Sequence, residues 1–366
     1  MKTLIIGGVA AGASAAARLR RLDESMEIVL LERGRYISYA NCGLPYHLGG
    51  VIPERDSLFV MPEKKFKAWF AIDIRSGNEV LSIDRAAKSV AVRREDGTEY
   101  TEHYDKLLLA TGSRPGAPEL PGGDDPRIHP LWTIPDMDAL RALATGGARK
   151  ALVVGGGFIG LETLENLAMR GIEVTLVEGS NHILPNLDED MARIPEGMMR
   201  QGGIRVLTGV RVREISQGGD SVTAHTDLGD LKADMLVQSI GVRPASALAK
   251  DALMGIEEKG SIKVDNLQEV EKDVYALGDA TSRPDFFSDN RAYVALAGLA
   301  NKDARSLATH LALDEEQGAM KPLGTSILKL FNLAIGSVGL TEAKAKALGK
   351  EYGKAYLSAA NHATYY

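Results

Sequence analysis

The chain carries one thiol. Cys42 is the only cysteine among its 366 residues, and it lies in S-Y-A-N-C-G-L-P-Y, Ser38 to Tyr46. A lone cysteine is usually a small buried hydrophobe, but this segment is poor in large aliphatic side chains. One cysteine excludes an internal disulfide. The thiol can only alternate between a thiolate and either a mixed disulfide with an external thiol or a sulfenic acid. The first state supports disulfide or persulfide reduction. The second supports peroxidase or oxidase chemistry.

Either route needs an electron source, and two glycine loops point to one. Gly155, Gly157 and Gly160 complete G-x-G-x-x-G between the strand pattern A-L-V-V (Ala151 to Val154) and a helix. In such a loop the first glycine makes the turn, the second lets the backbone approach a pyrophosphate, and the third permits close helix-strand packing. The helix N-terminus offers N–H donors to the phosphates. Glu178 ends the next strand, 18 residues beyond Gly160. A carboxylate there binds a ribose 2′-hydroxyl and repels a 2′-phosphate, which favours NADH over NADPH. The first loop is imperfect. Gly7, Gly8 and Gly12 follow the strand T-L-I-I (Thr3 to Ile6), Val9 takes the middle position, and Glu32 stands 20 residues beyond Gly12. A glycine-rich turn of some other α/β fold remains an alternative for that loop alone. The two units form a weak internal repeat.

Two nucleotide sites in one chain call for two different nucleotides, and a flavin with a nicotinamide is the economical pair. Asp279, at a strand end after Gly278, is placed to accept from ribityl hydroxyls; a plain helix cap is the alternative.

The elements that must position these groups follow from local pattern. Ala13 to Leu22 reads as a helix and Glu27 to Leu31 as a strand. Asp84 to Thr101 reads as antiparallel strands turning at Asp96-Gly97. Lys106 to Ala110 is a buried strand leading to T-G-S-R-P, Thr111 to Pro115, and Met235 to Pro244 resembles it. Asp273 to Thr281 gives a strand ending at Gly278-Asp279, a helix covers about 291–312, and a further β/α segment starts at Thr325. The fold class is α/β, with two Rossmann-like dinucleotide-binding domains. Length allows two or three domains. The net charge of -6 and the lack of a basic tract exclude a nucleic-acid partner. No signal peptide or membrane-length apolar run is present, so a cytoplasmic location is expected.

Together these motifs resemble the two-domain flavoprotein disulfide reductases over nearly the whole chain. The order runs from the flavin glycine motif and redox cysteine to A-T-G-S-R-P (Ala110 to Pro115). The nicotinamide motif, I-G-V-R-P (Ile240 to Pro244) and A-L-G-D-A (Ala276 to Ala280) follow. Ile5 to Ala15, N-C-G-L-P-Y-H (Asn41 to His47) and H-A-T-Y-Y (His362 to Tyr366) are similar to the single-cysteine branch, of the coenzyme A-disulfide and persulfide reductase type. The resemblance implies a first FAD-binding part at 1–114 and an NAD(P)H-binding domain at 115–244. It implies a second FAD-binding part at 245–320 and a partial α+β dimerisation domain at 321–366. Family members continue well past the tyrosine pair, so this chain is expected to lack most of that last domain. A homodimer is usual in the family.

The same resemblance implies cofactor contacts at Gly7, Gly8, Val9, Ala10, Ala11, Gly12, Glu32, Arg33, Ser38, Asn41 and Cys42. It implies more at Ala110, Thr111, Gly112, Arg127, Gly155, Gly157, Phe158, Ile159, Gly160, Glu178, Gly241, Gly278, Asp279 and Ala297. Cys42, Asn41, Phe158, Glu162 and Asn301 match catalytic positions. Phe158 matches the aromatic that covers the flavin until nicotinamide displaces it, and Glu162 the acid facing the nicotinamide. Coenzyme A contacts are implied at Arg18, Arg21, Ser38, Asn41, Lys67, Asn301 and Arg305. Arginine suits phosphate through its planar fork of donors, and Asn301 and Arg305, at i and i+4, share one helix face. Charged outer helix faces would explain these residues without a ligand. The chain departs from the family at Leu299, usually proline, at Lys302 and Ala304, usually arginine and glycine, and at Trp69, usually basic.

Peroxidase-type members carry a histidine where this chain has Ala10, so a proton donor for peroxide cleavage is missing. That favours a mixed disulfide with coenzyme A or a persulfide as the substrate form. A helix beginning near Cys42, together with flavin contact, is expected to lower the thiol pKa. NADH oxidase or peroxidase activity, a ferredoxin-type reductase and a non-enzymatic flavin-binding redox module are the competing readings.

Overall fold

The computed structural model describes residues 1–116, 121–316, 318, 320–360 and 365. The expectation resting on H-A-T-Y-Y therefore lies outside the described residues, except for Tyr365.

The first unit is built on a six-stranded sheet. From one edge its order is Glu269–Glu271, Val274–Ala276, Lys106–Leu109, Lys2–Ile6, Glu27–Glu32, Asp73–Ser76. All neighbours are parallel except the Glu269–Glu271 edge. The central strands are apolar throughout because both faces are covered. Side chains alternate across a strand. Ile5, Leu30 and Leu108 therefore enter one core with α1 (Ala10–Leu22), while Leu4, Leu31 and Leu107 enter another. That second core includes Val80, Val90 and Val92 of an antiparallel sheet formed by Asn78–Asp84, Ser89–Arg94 and Glu99–His103. The turn at Asp96-Gly97 falls where the sequence places it.

Helix α1 starts at Ala10, earlier than the expected Ala13, because the glycine loop passes straight into the helix. Two short helices follow, α2 (Leu44–Gly49) and α3 (Glu63–Phe70).

The second unit repeats the plan. Its sheet runs Arg205–Thr208, Glu173–Glu178, Lys150–Val154, Met235–Gln238, Ile128–Pro130, all parallel. Ala151 and Val153 face a core shared with α4 (Ile134–Thr145), α5 (Phe158–Met169) and α6 (Glu189–Gln201). Leu152 and Val154 face Ile215, Val222 and Ala224 of a three-stranded sheet. Ser113–Pro115 and Val242–Pro244 pair antiparallel, which brings T-G-S-R-P and I-G-V-R-P side by side where the chain passes between units.

The chain returns to the first unit through α7 (Ala247–Asp251) and α8 (Ala297–Leu313). Helix α8 begins later than the expected 291, because Arg291–Ala292 pairs with Arg283–Pro284 as a strand. Ala300, Ala304 and Ala308 of α8 pack in one core with Ala11, Ala15 and Ala16 of α1. Ala304 is fully buried there, so a small residue is kept where the family usually has glycine. The sealed Arg283 donates from Nε to Asp303 Oδ2 of α8 at 2.6 Å.

A hairpin, Ser326–Leu330 with Leu333–Ser337, then packs Leu328 and Leu330 into the second unit's core, ahead of α9 (Glu342–Ala347). Among the described residues no helix is long and apolar enough to cross a membrane.

Both loops need bare glycine where helix and strand meet. A Cβ on Gly12 would lie 1.8 Å from the Gly7 carbonyl oxygen, and one on Gly160 1.9 Å from that of Gly155. Gly197, inside α6, has open space around it. Gly160→Ala should therefore lower the thermal midpoint, by about 1–3 kcal/mol of overpacking. Gly197→Ala should raise it, by about 0.4–1 kcal/mol. Thermal melts that move both variants the same way would contradict this account.

Candidate active site

The two glycine loops are held by the same device. Glu32 accepts from the backbone N–H of Gly8 and of Gly34, both at 2.8 Å. Glu178 accepts from Gly156 N–H and Ser180 N–H, both at 2.6 Å. Each acid is thereby fixed at its strand end beside its loop. Burial pushes the Glu32 carboxyl up, against the two N–H donors that favour its charged form. Ser38 completes the first loop by donating its N–H to the Gly8 carbonyl at 2.9 Å.

A cavity of about 2610 Å³ joins the two loops. Its wall takes Gly7 to Ala11, Glu32, Arg33, Asn41, Cys42, Ala110, Thr111 and Gly112 from the first unit. Gly155, Gly157, Phe158, Ile159, Glu162, Glu178 and Gly241 come from the second, and Gly278, Asp279 and Ala297 from the returning chain. A Cβ on Gly157, Gly112 or Gly241 would meet nothing within 4 Å. The backbone is thus bare toward the cavity at the second loop and at the crossing between units. This surface fits a pyrophosphate-bearing dinucleotide on each loop. Asp279 accepts from Ser113 Oγ at 3.0 Å, and burial pushes its carboxyl up. A buried acid with one protein donor fits a polyhydroxyl partner. The residues present therefore suit a flavin on the first unit and a nicotinamide nucleotide on the second.

Gly12 and Gly160 do not line the cavity; they lie under the loops, against the carbonyls of Gly7 and Gly155. Arg127 differs from expectation. Its guanidinium is committed to the Asp125 carboxylate and donates to the Gly219 carbonyl at 3.0 Å, away from the cavity wall. Asn301, Arg18, Arg21, Lys67 and Arg305 also lie off that wall. Asn301 accepts from Ser14 Oγ at 2.7 Å, which links α8 to α1. Arg21 lies 4.9 Å over the Phe70 ring, and Lys67 pairs with Glu63 at 2.6 Å. Arg18 keeps a buried Nε without a protein acceptor. Lys302, in contrast, reaches the cavity.

Cys42 sits in a single 3₁₀ turn, Asn41–Gly43, just ahead of α2. Gly43 closes that turn on the Ala40 carbonyl at 2.9 Å, and Asn41 Nδ2 donates to Trp132 O at 3.3 Å. Cys42 is exposed and its sulfur opens to the cavity. Burial, and then the Glu162 carboxylate, push the thiol up. This corrects the expectation of a lowered value. Helix α2 has only six residues and starts beyond Cys42, so the charge it offers does not outweigh burial beside an acid.

Phe158 and Glu162 lie one turn apart on α5 and line the cavity with Cys42. Tyr46 Oη donates to Glu162 at 3.2 Å. Burial and Glu162 push the Tyr46 hydroxyl up to about 12, and burial pushes the Glu162 carboxyl up. Tyr46 was missed as a site residue, although its place four residues after Cys42 in the quoted motif was a usable signal. Trp132 and the segment Met320 to Ile327 also line the cavity. No local pattern marks them.

A family model for pyridine nucleotide-disulphide oxidoreductases matches residues 1–297. The chain is 32% identical over 369 residues to a coenzyme A disulfide reductase of Staphylococcus haemolyticus, covering all of this chain and 82% of that one. It superposes on the reduced CoADR-RHD of Bacillus anthracis with a TM-score of 0.93 and 38% identity, covering 96% of this chain. It superposes on a NAD-dependent persulfide reductase of A. fulgidus with a TM-score of 0.92 and 34% identity, covering 95%. It spans 64% and 66% of the length of those two solved chains.

The Glu162 carboxylate raises the thiol, so removing its charge should lower it. In Glu162→Gln, alkylation of Cys42 by iodoacetamide should reach half its maximal rate at a lower pH than in the parent. A midpoint that stays or rises would show that this acid does not act on the sulfur.

Proposed function

We propose that this chain, which belongs to the pyridine nucleotide-disulphide oxidoreductase family, uses NADH and a bound flavin to reduce coenzyme A disulfide, or a coenzyme A persulfide or polysulfide, through Cys42. The observation that carries this reading is one thiol on the wall of a cavity that Phe158 and Glu162 also line, in a chain with no second cysteine to close an internal disulfide.

The flavin, when bound, accepts hydride equivalents from the nicotinamide and returns an electron pair to sulfur. The rest falls to the chain. Gly157 leaves room for the nicotinamide nucleotide's pyrophosphate, and Glu178 holds its ribose. Phe158, half-buried at the start of α5, moves aside for the ring. Cys42, as thiolate, attacks the substrate sulfur and becomes a mixed disulfide as the first small thiolate leaves. Two electrons then split that bond, release the second thiolate and return Cys42 to thiolate. Overall, NADH, a proton and one disulfide give NAD⁺ and two thiols.

Arg18, Arg21 and Arg305 supply the phosphate contacts. The support for this is their place on α1 and α8, two helices packed together through alanines and joined by the Ser14–Asn301 hydrogen bond. Ala10 offers no proton donor beside the thiol, which supports a disulfide or persulfide over peroxide.

Cys42→Ser should abolish coenzyme A disulfide turnover while NADH still bleaches the flavin in stopped flow. Surviving disulfide turnover would overturn the role of the thiol, and a parent enzyme that passes electrons only to oxygen would favour an oxidase. Glu178→Ala should raise the KM for NADH by roughly tenfold and narrow the preference over NADPH. An unchanged ratio of kcat/KM for the two nucleotides would remove Glu178 from that choice.

A further inference from the structure

Helix α2 carries the thiol's neighbours, yet it packs on the other unit. Leu44 and Leu48 are buried in the core built by α4, α5 and the second sheet. One ridge of α5 runs along it. Phe158, Glu162, Asn166 and Arg170 recur every four residues, so they stack on one face. Each of the last three meets α2 at a defined place. Glu162 accepts from Tyr46. Asn166, 1% exposed, lies flat against Gly49, where a Cβ would fall 2.1 Å from its Oδ1. Arg170 donates from Nε to the Leu48 carbonyl, and Arg141 of α4 donates to the His47 carbonyl.

The last carbonyls of a helix have no partner within it. Here the Leu48 carbonyl accepts from Arg170, and the His47 carbonyl accepts both from the Gly50 N–H at 3.1 Å and from Arg141. The two cations stand close enough that Arg141, after burial, pushes Arg170 down. Both guanidiniums donate to carbonyls at the C-terminal end of α2, whose partial negative charge offsets their repulsion.

We infer that Arg170 and Arg141 are positioning residues for Cys42: they fix α2 in register on the α5 ridge, so that the thiol and the Phe158–Glu162 end of the nicotinamide site move as one body. Neither residue touches the reacting atoms. The α5 end that bears Phe158 is held by its own sheet, so loss of Arg170 frees the thiol and leaves the nicotinamide side in place. The inference rests on the thiol chemistry proposed above, but the state of Cys42 can be read without it.

The test uses the flavin-loaded full chain as Arg170→Met and Arg170→Lys. In Arg170→Met the reaction of the reduced enzyme with coenzyme A disulfide should slow roughly tenfold or more, while bleaching by NADH stays within about twofold. Burial and Glu162 both raise the thiol, so a freed Cys42 should be alkylated by iodoacetamide with a midpoint at lower pH. Arg170→Lys keeps a cationic donor and should stay near the parent in both readouts. If Arg170→Met does not fold, Gly49→Ala displaces α2 from Asn166 with both arginines present and should give the same split. The inference is overturned if both half-reactions slow together, or if the alkylation profile does not move. A parent enzyme inert to coenzyme A disulfide would overturn the substrate reading alone, because the alkylation profiles would still report on the register.

Discussion

Leu44 and Leu48 lie in the core of the second unit, together with Leu58 and the partly buried Tyr36, Tyr39, Ile52 and Phe59 that flank them in the chain. Full burial of such side chains stabilises by about 1.5–3 kcal/mol each. That burial is what ties the thiol to the nicotinamide side. It seats α2 on the second unit, and the carbonyl contacts from Arg141 and Arg170 bear on its register there. Asn41 and Cys42 then line the same cavity as Phe158 and Glu162, with Cys42 exposed to it.

The two units share one solution to a second constraint. A dinucleotide's pyrophosphate needs bare backbone N–H groups, and its ribose needs an acid. Each loop satisfies both by bonding the acid to its own glycine N–H, so that loop and carboxylate are placed together. The copies differ at the three positions between the second and last glycines, Val9-Ala10-Ala11 against Gly157-Phe158-Ile159. Gly157 is open to the cavity, while Val9 occupies the matching place in the first loop. The flavin side therefore reaches its close approach with the outer glycines alone.

Electrostatics at the thiol run against catalysis in the bare chain. Burial and Glu162 hold Cys42 up, so the sulfur favours its protonated form. A raised thiol protects against alkylation and oxidation by chance encounters. It also makes the position of Glu162 consequential, and Tyr46, Asn166 and Arg170 all bear on that position through α2. Helix α8 serves the opposite side. Its alanine face and the buried Arg283–Asp303 pair fix it against α1, which sets the spacing of the cationic residues proposed for phosphate.

Much of this was legible in the residues. Strand-glycine-helix spacing, acids 18 and 20 residues beyond the loops, and a single cysteine are local signals. They specified an α/β fold with two glycine loops, and they support the one-thiol chemistry proposed above. The helix starts at Ala10 and Ala297 were misjudged because propensity does not see where a strand pair or a glycine loop ends. Only the tertiary structure decided that α2 joins the second core, that Arg127 turns to Asp125, and that Arg141 and Arg170 cap α2. Those last contacts link residues 94 and 122 positions apart. No periodicity spans such distances, and the partner of a free carbonyl is chosen by packing, not by the residues beside it.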